Sequence, residues 1–214
     1  MCMSNKRITL TVVFLLAFAG LIAGLFVAQH LPDNKAALLA EFKGTLLDQP
    51  RTVKPFSLKG IDGQTFDNER MKGHWTMVFF GFTSCTSMCP MTMAELGKMF
   101  RMLEADKVSS LPEVVMISID PKRDTLSKLK HYVKGFDSHF FGARGSVKSI
   151  RKMTREMGIV YMKVAPLAGE SAENYNIQHS GAVMLFNPAG QLTAFFTPPL
   201  HADALAADFK RLIN

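Results

Sequence analysis

Residues 8–28, ITLTVVFLLAFAGLIAGLFVA, run for 21 positions without a charged side chain. Backbone surrounded by hydrocarbon must satisfy its own N–H and C=O groups, so a run this long and apolar is a membrane-crossing helix or a leader that is removed. Ala17-Phe18-Ala19 formally offers a small-x-small cleavage site, and a leader's apolar region is usually about 7–15 residues long. Cleavage there would leave GLIAGLFVA at the new N-terminus, too apolar for water, so an uncleaved anchor over 8–28 is the expectation. Lys6 and Arg7 precede the run with no acidic residue near them, which keeps residues 1–7 cytoplasmic. The expected product is a single-pass protein of the inner (cytoplasmic) membrane with its bulk on the periplasmic, extracytoplasmic side, or of the mitochondrial inner membrane in a eukaryote.

Beyond the anchor, residues 29–50 mix charges with a short helical pattern at Ala37, Leu38, Leu39 and Phe42 and read as a linker. Residues 51–214 read as one domain with no internal repeat. Formal net charge is +7, and with Lys6 and Arg7 set aside the remaining 23 basic residues face 18 acidic ones. The basic residues are scattered, without an arginine-rich run or interleaved aromatics, which argues against nucleic-acid binding. Of the three cysteines, Cys2 precedes the span in a reducing compartment. Cys85 and Cys89 would face an oxidising one, where idle thiols become disulfides, so an exported pair is expected to carry chemistry.

The domain's pattern alternates. VKPFSL and QTF flank Ile61-Asp62-Gly63, an aspartate-glycine turn that predicts a hairpin. TMVFFGF (76–82) is a continuous apolar run of strand length, and residues 91–105 repeat Met93, Leu96, Met99, Phe100 and Leu103 at the spacing of one helix face. EVVMISID predicts a second buried strand, LSKLKHYVKGF and VKSIRKMTREMG two helices, and IVYMKV a short strand. AVMLF and LTAFF bracket the turn Asn187-Pro188-Ala189-Gly190, and ADALAADFKRLI makes a closing helix. The predicted class is α/β, a mixed central sheet with helices on its faces. Chemistry in such sheets gathers at the carboxyl ends of the strands, where Cys85 lies.

Cys85 and Cys89 stand at a helix start, with Pro90 suited to the first turn because its missing N–H has no partner to lose. Free N–H groups and partial positive charge at that end favour thiolate. The i, i+4 spacing puts Cβ atoms about 5–6 Å apart in regular helix. A disulfide wants roughly 3.5–4.5 Å, so oxidation needs the turn to adjust, whereas a soft ion such as Cu(I) bridges two thiolates without that squeeze. A redox pair and a metal clamp both remain open on these residues. A metal site would want an imidazole as well, and His30, His74, His131, His139, His179 and His201 are the candidates; His179 stands immediately before a predicted buried strand.

Three blocks, FFGFTSCTSMCP (79–90), SIDPKRDT (118–125) and QHSGAVMLFNPAG (178–190), occur in this order behind one N-terminal span. Together they resemble the SCO/SenC family of copper chaperones for cytochrome c oxidase assembly, over about residues 50–214. The resemblance implies a thioredoxin-like fold and one copper per chain, Cu(I) or Cu(II), held by Cys85, Cys89 and His179. It also implies cytochrome c oxidase subunit II as the acceptor, together with a copper donor and a thiol reductant. The family loop usually reads C-P-D-V-C, whereas this chain has Thr86, Ser87 and Met88 between its cysteines, and Gln178 where an acid often precedes the histidine. Both changes remove negative charge near the site. Asp120, Pro121, Arg123 and Asp124 recur in the family but read on their own as a strand end and helix cap. Met88, Met91 and Met93 form a thioether cluster around the loop, suited either to core packing or to Cu(I).

Two functions follow from these residues. One is a membrane-anchored metallochaperone delivering copper to the binuclear copper site of subunit II. The other is an enzyme, a thiol-disulfide oxidoreductase with Cys85 and Cys89 as its redox-active pair, acting on that subunit's cysteines or on another exported thiol pair. A peroxiredoxin pattern would need Pro and Thr where Val78 and Phe82 stand. Thioredoxin-type reductases keep a cis-proline before the strand facing their cysteines, where this chain has His179-Ser180-Gly181-Ala182, which favours copper.

Overall fold

The computed structural model describes residues 4–30, 41–166, 168–169, 171 and 173–213. The chain divides into two compact units, Met1–Glu41 and Phe42–Asn214. In the first, helix α1 (Ser4–His30) contains one stretch, Thr9–Phe26, long and apolar enough to cross a membrane, with all its side chains exposed. Cys2 and the pattern at Ala37, Leu38 and Leu39 lie outside the described residues, while Phe42 is buried at the start of the second unit.

The second unit is built on an eight-stranded sheet. Its centre is β4 (Thr76–Gly81), buried at every position because it is covered on both faces, which is why its sequence is a continuous apolar run rather than an alternation. β4 runs parallel to β5 (Glu113–Ser118), which runs parallel to β6 (Phe141–Arg144); the rest of the sheet is antiparallel. The full order is β1 (Thr45–Thr52), β10 (Gln191–Phe196), β9 (Val183–Phe186), β4, β5, β6, β2 (Ser57–Gly60), β3 (Thr65–Asp67). A separate two-stranded sheet pairs β7 (Tyr161–Val164) with β8 (Asn176–His179). Helices α2 (Met88–Ala105), α3 (Leu126–Lys134), α4 (Val147–Glu156) and α5 (Ala202–Ile213) complete the unit.

Local chemistry explains the boundaries. Thr125 and Ser146 cap α3 and α4, each side chain accepting the N–H three residues on. Asn187 Oδ1 accepts the N–H groups of Ala189 and Gln191 to close the β9–β10 hairpin, and Gly190 takes the left-handed conformation there. Met93, Leu96, Met99, Phe100 and Leu103 all face the core from α2, as their spacing predicts. Buried Asp208 on α5 accepts the N–H groups of Lys43 and Gly44 at 2.8 and 2.9 Å, pinning the start of the unit.

Two elements depart from the sequence reading. The predicted linker loses residues 45–50 to β1, an edge strand whose charged and polar side chains are exposed while its backbone pairs with β10. β6, Phe-Gly-Ala-Arg, has neither alternation nor length to announce it. It forms because Gly142 lets α3 close on the sheet: a Cβ there would stand 2.8 Å from Leu129 Cγ.

Candidate metal and redox site

The site forms where β4 ends and α2 begins. Gly81 closes the strand, and a Cβ at that position would lie 3.2 Å from Cys89 Sγ, so the glycine lets the sulfur approach the sheet backbone. Cys89 sits in the first turn of α2, wholly buried; Cys85 is half-buried in the loop before it, and neither is in a disulfide. Ser87, at the N-cap, makes no side-chain capping bond. Cys85 Sγ accepts the Cys89 N–H instead, at 3.4 Å, so a sulfur occupies the place of the usual capping oxygen.

His179, the last residue of β8, brings Nε2 to 3.4 Å from Cys89 Sγ. Its Nδ1 accepts the Gly181 N–H at 3.3 Å. The rings of Phe79 and Phe82 lie 5.8 and 6.2 Å from the imidazole, giving it an apolar wall. The two sulfurs and the imidazole nitrogen all fall within 4.8 Å of one another, the one such group of histidine, cysteine or acidic side chains among the described residues.

The sulfurs differ in acidity. Cys85 is held well below the usual thiol range, at about 3, by the hydrogen bond from the Cys89 thiol; burial opposes this, and His179 and the N–H groups of Cys89 and Ser87 assist it. Cys89 is pushed up, because its proton is the one Cys85 accepts and because it is buried. The pair therefore favours placing its negative charge on the more exposed sulfur and its proton on the buried one. That arrangement supplies a nucleophile, and it supplies a soft metal donor that needs only one further deprotonation to become two.

Two carboxylates of the 118–125 block support the two sides of the site. Asp124, wholly buried, accepts the hydroxyls of Thr83 and Ser118, each at 2.6 Å, and the Thr83 N–H, which ties the cysteine loop to the end of β5. Asp120, also buried, accepts the Tyr175 hydroxyl at 2.6 Å and pairs with Arg123. Arg123 in turn donates to the Tyr175 and Glu173 carbonyls, at 2.8 and 3.1 Å, and lies 3.8 Å from the centre of the Tyr175 ring. Tyr175 immediately precedes β8, so this network anchors the strand that carries His179. Burial, followed by the bond to Asp120, raises the Tyr175 hydroxyl to about 12 and keeps it a donor.

Sequence reasoning missed Tyr175 altogether, although an aromatic four residues ahead of the histidine was a signal it could have used. The block read as strand end and cap does more than cap: Thr125, not Asp124, caps α3. Met93 belongs to the core, whereas Met88 and Met91 are exposed at 36% and 69%. The other described histidine side chains lie outside the cluster. His74 faces Glu113 at 3.3 Å, His139 pairs with Asp137 at 2.9 Å, and His131 and His201 are exposed; the side chain of His30 lies outside the described residues.

Comparison with known proteins agrees with this geometry. The family model described as SCO1/SenC matches residues 44–214. A protein of Stutzerimonas stutzeri named as a putative copper-binding protein is 32% identical over 181 residues, covering 85% of this chain and 86% of its own. A SCO2-like protein of Rickettsia prowazekii is 29% identical, covering 96% of this chain and 98% of its own. Among solved structures, Arabidopsis thaliana ScoI, crystallised with copper bound, superposes with a TM-score of 0.69 at 29% identity, covering 75% of this chain and 98% of its own. The helix-flanked mixed sheet is the thioredoxin-like fold shared with that structure. The chain belongs to the SCO1/SenC family.

Proposed function

We propose that this chain holds one copper ion through Cys85, Cys89 and His179 and passes it to the binuclear copper site of cytochrome c oxidase subunit II. The observation that carries this reading is the cluster itself: two sulfurs and an imidazole nitrogen within 4.8 Å, with the Cys85 thiol held acidic by its neighbours. Thiolates suit Cu(I) and imidazole suits Cu(II), so this donor set can follow the ion through both oxidation states. The copper bound by Arabidopsis ScoI and the name of the Stutzerimonas relative support the choice of metal. Residues 8–28 serve as the anchor, with residues 1–7 cytoplasmic and the folded domain on the outer face, where it meets a copper donor, a thiol reductant and the acceptor subunit. Titration of the reduced domain tests the reading. We expect one copper per chain in the native protein and none in Cys85→Ser or Cys89→Ser; undiminished binding in either variant would move the site.

A second reading, a thiol-disulfide oxidoreductase, is favoured by the unequal acidity of the two sulfurs. The Cys85 thiolate would attack one sulfur of a partner disulfide, releasing the other as a thiolate. Cys89, giving up its proton, would then attack Cys85 Sγ, so that the partner leaves as a dithiol and this chain holds a Cys85–Cys89 disulfide until the reductant restores it. The two readings part at His179, which copper needs as a donor and which disulfide exchange uses only as a minor aid to the Cys85 thiolate.

A further inference from the structure

Met88 occupies the position between the N-cap and Cys89, at the first turn of α2. Its side chain does not enter the core: it is 36% exposed, whereas Met93 and Met99 on the same helix are wholly buried. It reaches instead across to the loop that carries His179. A Cβ on Gly181 would collide with Met88 Sδ and would also stand 2.9 Å from Pro198 Cγ, so the thioether rests directly on the Gly181 backbone. Gly181 adopts φ of +66° there, and its N–H is the group that binds His179 Nδ1. One thioether thus bridges the two segments that supply the proposed donors: it belongs to the residue before Cys89 and rests on Gly181, two residues along the chain from His179.

A methionine has three rotatable side-chain bonds and a polarisable sulfur, so Sδ can leave the glycine without any movement of the backbone. Thioether sulfur is a soft donor that suits Cu(I) and adds little to Cu(II), which is satisfied by imidazole. We propose that Met88 is an exchangeable fourth donor to Cu(I) on the solvent side of the site, engaged in the reduced state and released in the oxidised one. This rests on the copper reading above and adds to it how the ion is covered while held and uncovered for transfer. Being partly exposed, the thioether can give way to an incoming acceptor ligand without disturbing the buried Cys89.

The test uses Met88→Leu, which keeps an apolar side chain of similar volume near Gly181 and removes the sulfur. Met102→Leu, at the far end of α2 and also partly exposed, controls for loss of a surface methionine. Cu(I) affinity is read by competition with a chromophoric Cu(I) chelator, Cu(II) affinity by the thiolate-to-copper absorption band, and the sulfur count around Cu(I) by X-ray absorption. We expect Met88→Leu to weaken Cu(I) by about tenfold, the lower end of what losing a group that supports a metal costs, and to remove one sulfur from the Cu(I) shell. Cu(II) affinity and the Met102→Leu variant should match the native protein. Unchanged Cu(I) affinity and sulfur count in Met88→Leu would overturn the inference, as would equal losses in both oxidation states, which would assign the residue to packing alone. A native domain that binds no copper in either state would instead overturn the copper reading beneath it.

Discussion

The two halves of the site are held by different means. Cys85 and Cys89 follow β4, the most deeply buried strand, paired on one edge with β5 and on the other with β9, so main-chain ladders fix the cysteine side. His179 ends β8, whose strand partner among the described residues is β7, in a small sheet of its own, with Met162, Lys163 and Val164 exposed. That side is held by side chains: Tyr175 on Asp120, Arg123 on the Tyr175 and Glu173 carbonyls, and Gly181 on the imidazole. A ladder of backbone bonds tolerates most substitutions, whereas a side-chain network fails when one member is removed. The cysteine side should therefore change chiefly when a cysteine, its neighbour Met88, or Asp124, which ties its loop to β5, is changed, and the histidine side should be tunable from residues that stand outside the donor set.

The largest effect expected from such a distant residue is at Arg123. Arg123→Ala leaves Asp120 buried without its cationic partner and frees the backbone before β8. Copper(II) affinity should fall about 10–100-fold, the range typical for groups that orient a ligand, while Cu(I), held chiefly by sulfur, falls less. Equal retention of both would show that β8 needs no such anchor. Next in size is the contrast between the two thiols. Because Cys85 is held at about 3, its thiolate persists as pH falls from 9 to about 4 and is lost only below that. Alkylation of the reduced, metal-free domain should modify one thiol per chain, at Cys85, with a rate nearly flat over pH 5–8. A rate that climbs steeply through pH 8–9, as for an ordinary thiol, would remove the acidity difference on which the redox reading relies. For copper itself the smallest effect is at Tyr175, whose loss is read in stability instead. Tyr175→Phe keeps the ring against Arg123 and deletes one hydroxyl bond to a carboxylate, a loss of about 1.5–3 kcal/mol in urea denaturation. No change in stability would mean that Arg123 alone satisfies Asp120.

The same contrast decides what the sequence could reveal. β4 is a continuous apolar run and α2 is periodic, so the strand, the helix and the cysteines at their junction were readable from the residues, and the core face of α2 is the predicted one. His179 had no local pattern: a single histidine before a strand is ambiguous, and only the three-block resemblance singled it out among six. Tyr175 and the work of Asp120 and Arg123 were invisible because their meaning lies in contacts across 50 or more residues of chain. β1 and β6 were missed for related reasons, one because polar edge strands look like linkers, the other because four residues containing a glycine carry no period.

The central claim is that copper is held jointly by the cysteine side and the histidine side, and His179→Ala tests it most directly. Copper titration of the variant in both oxidation states, with dithiol oxidation followed on the same samples, reads the two halves separately. We predict that Cu(II) binding is lost, that Cu(I) binding survives on the two sulfurs, and that the rate of Cys85–Cys89 oxidation is little changed. Unaltered Cu(II) binding in His179→Ala would contradict the account, because it would leave the imidazole 3.4 Å from Cys89 Sγ without a part in holding the metal.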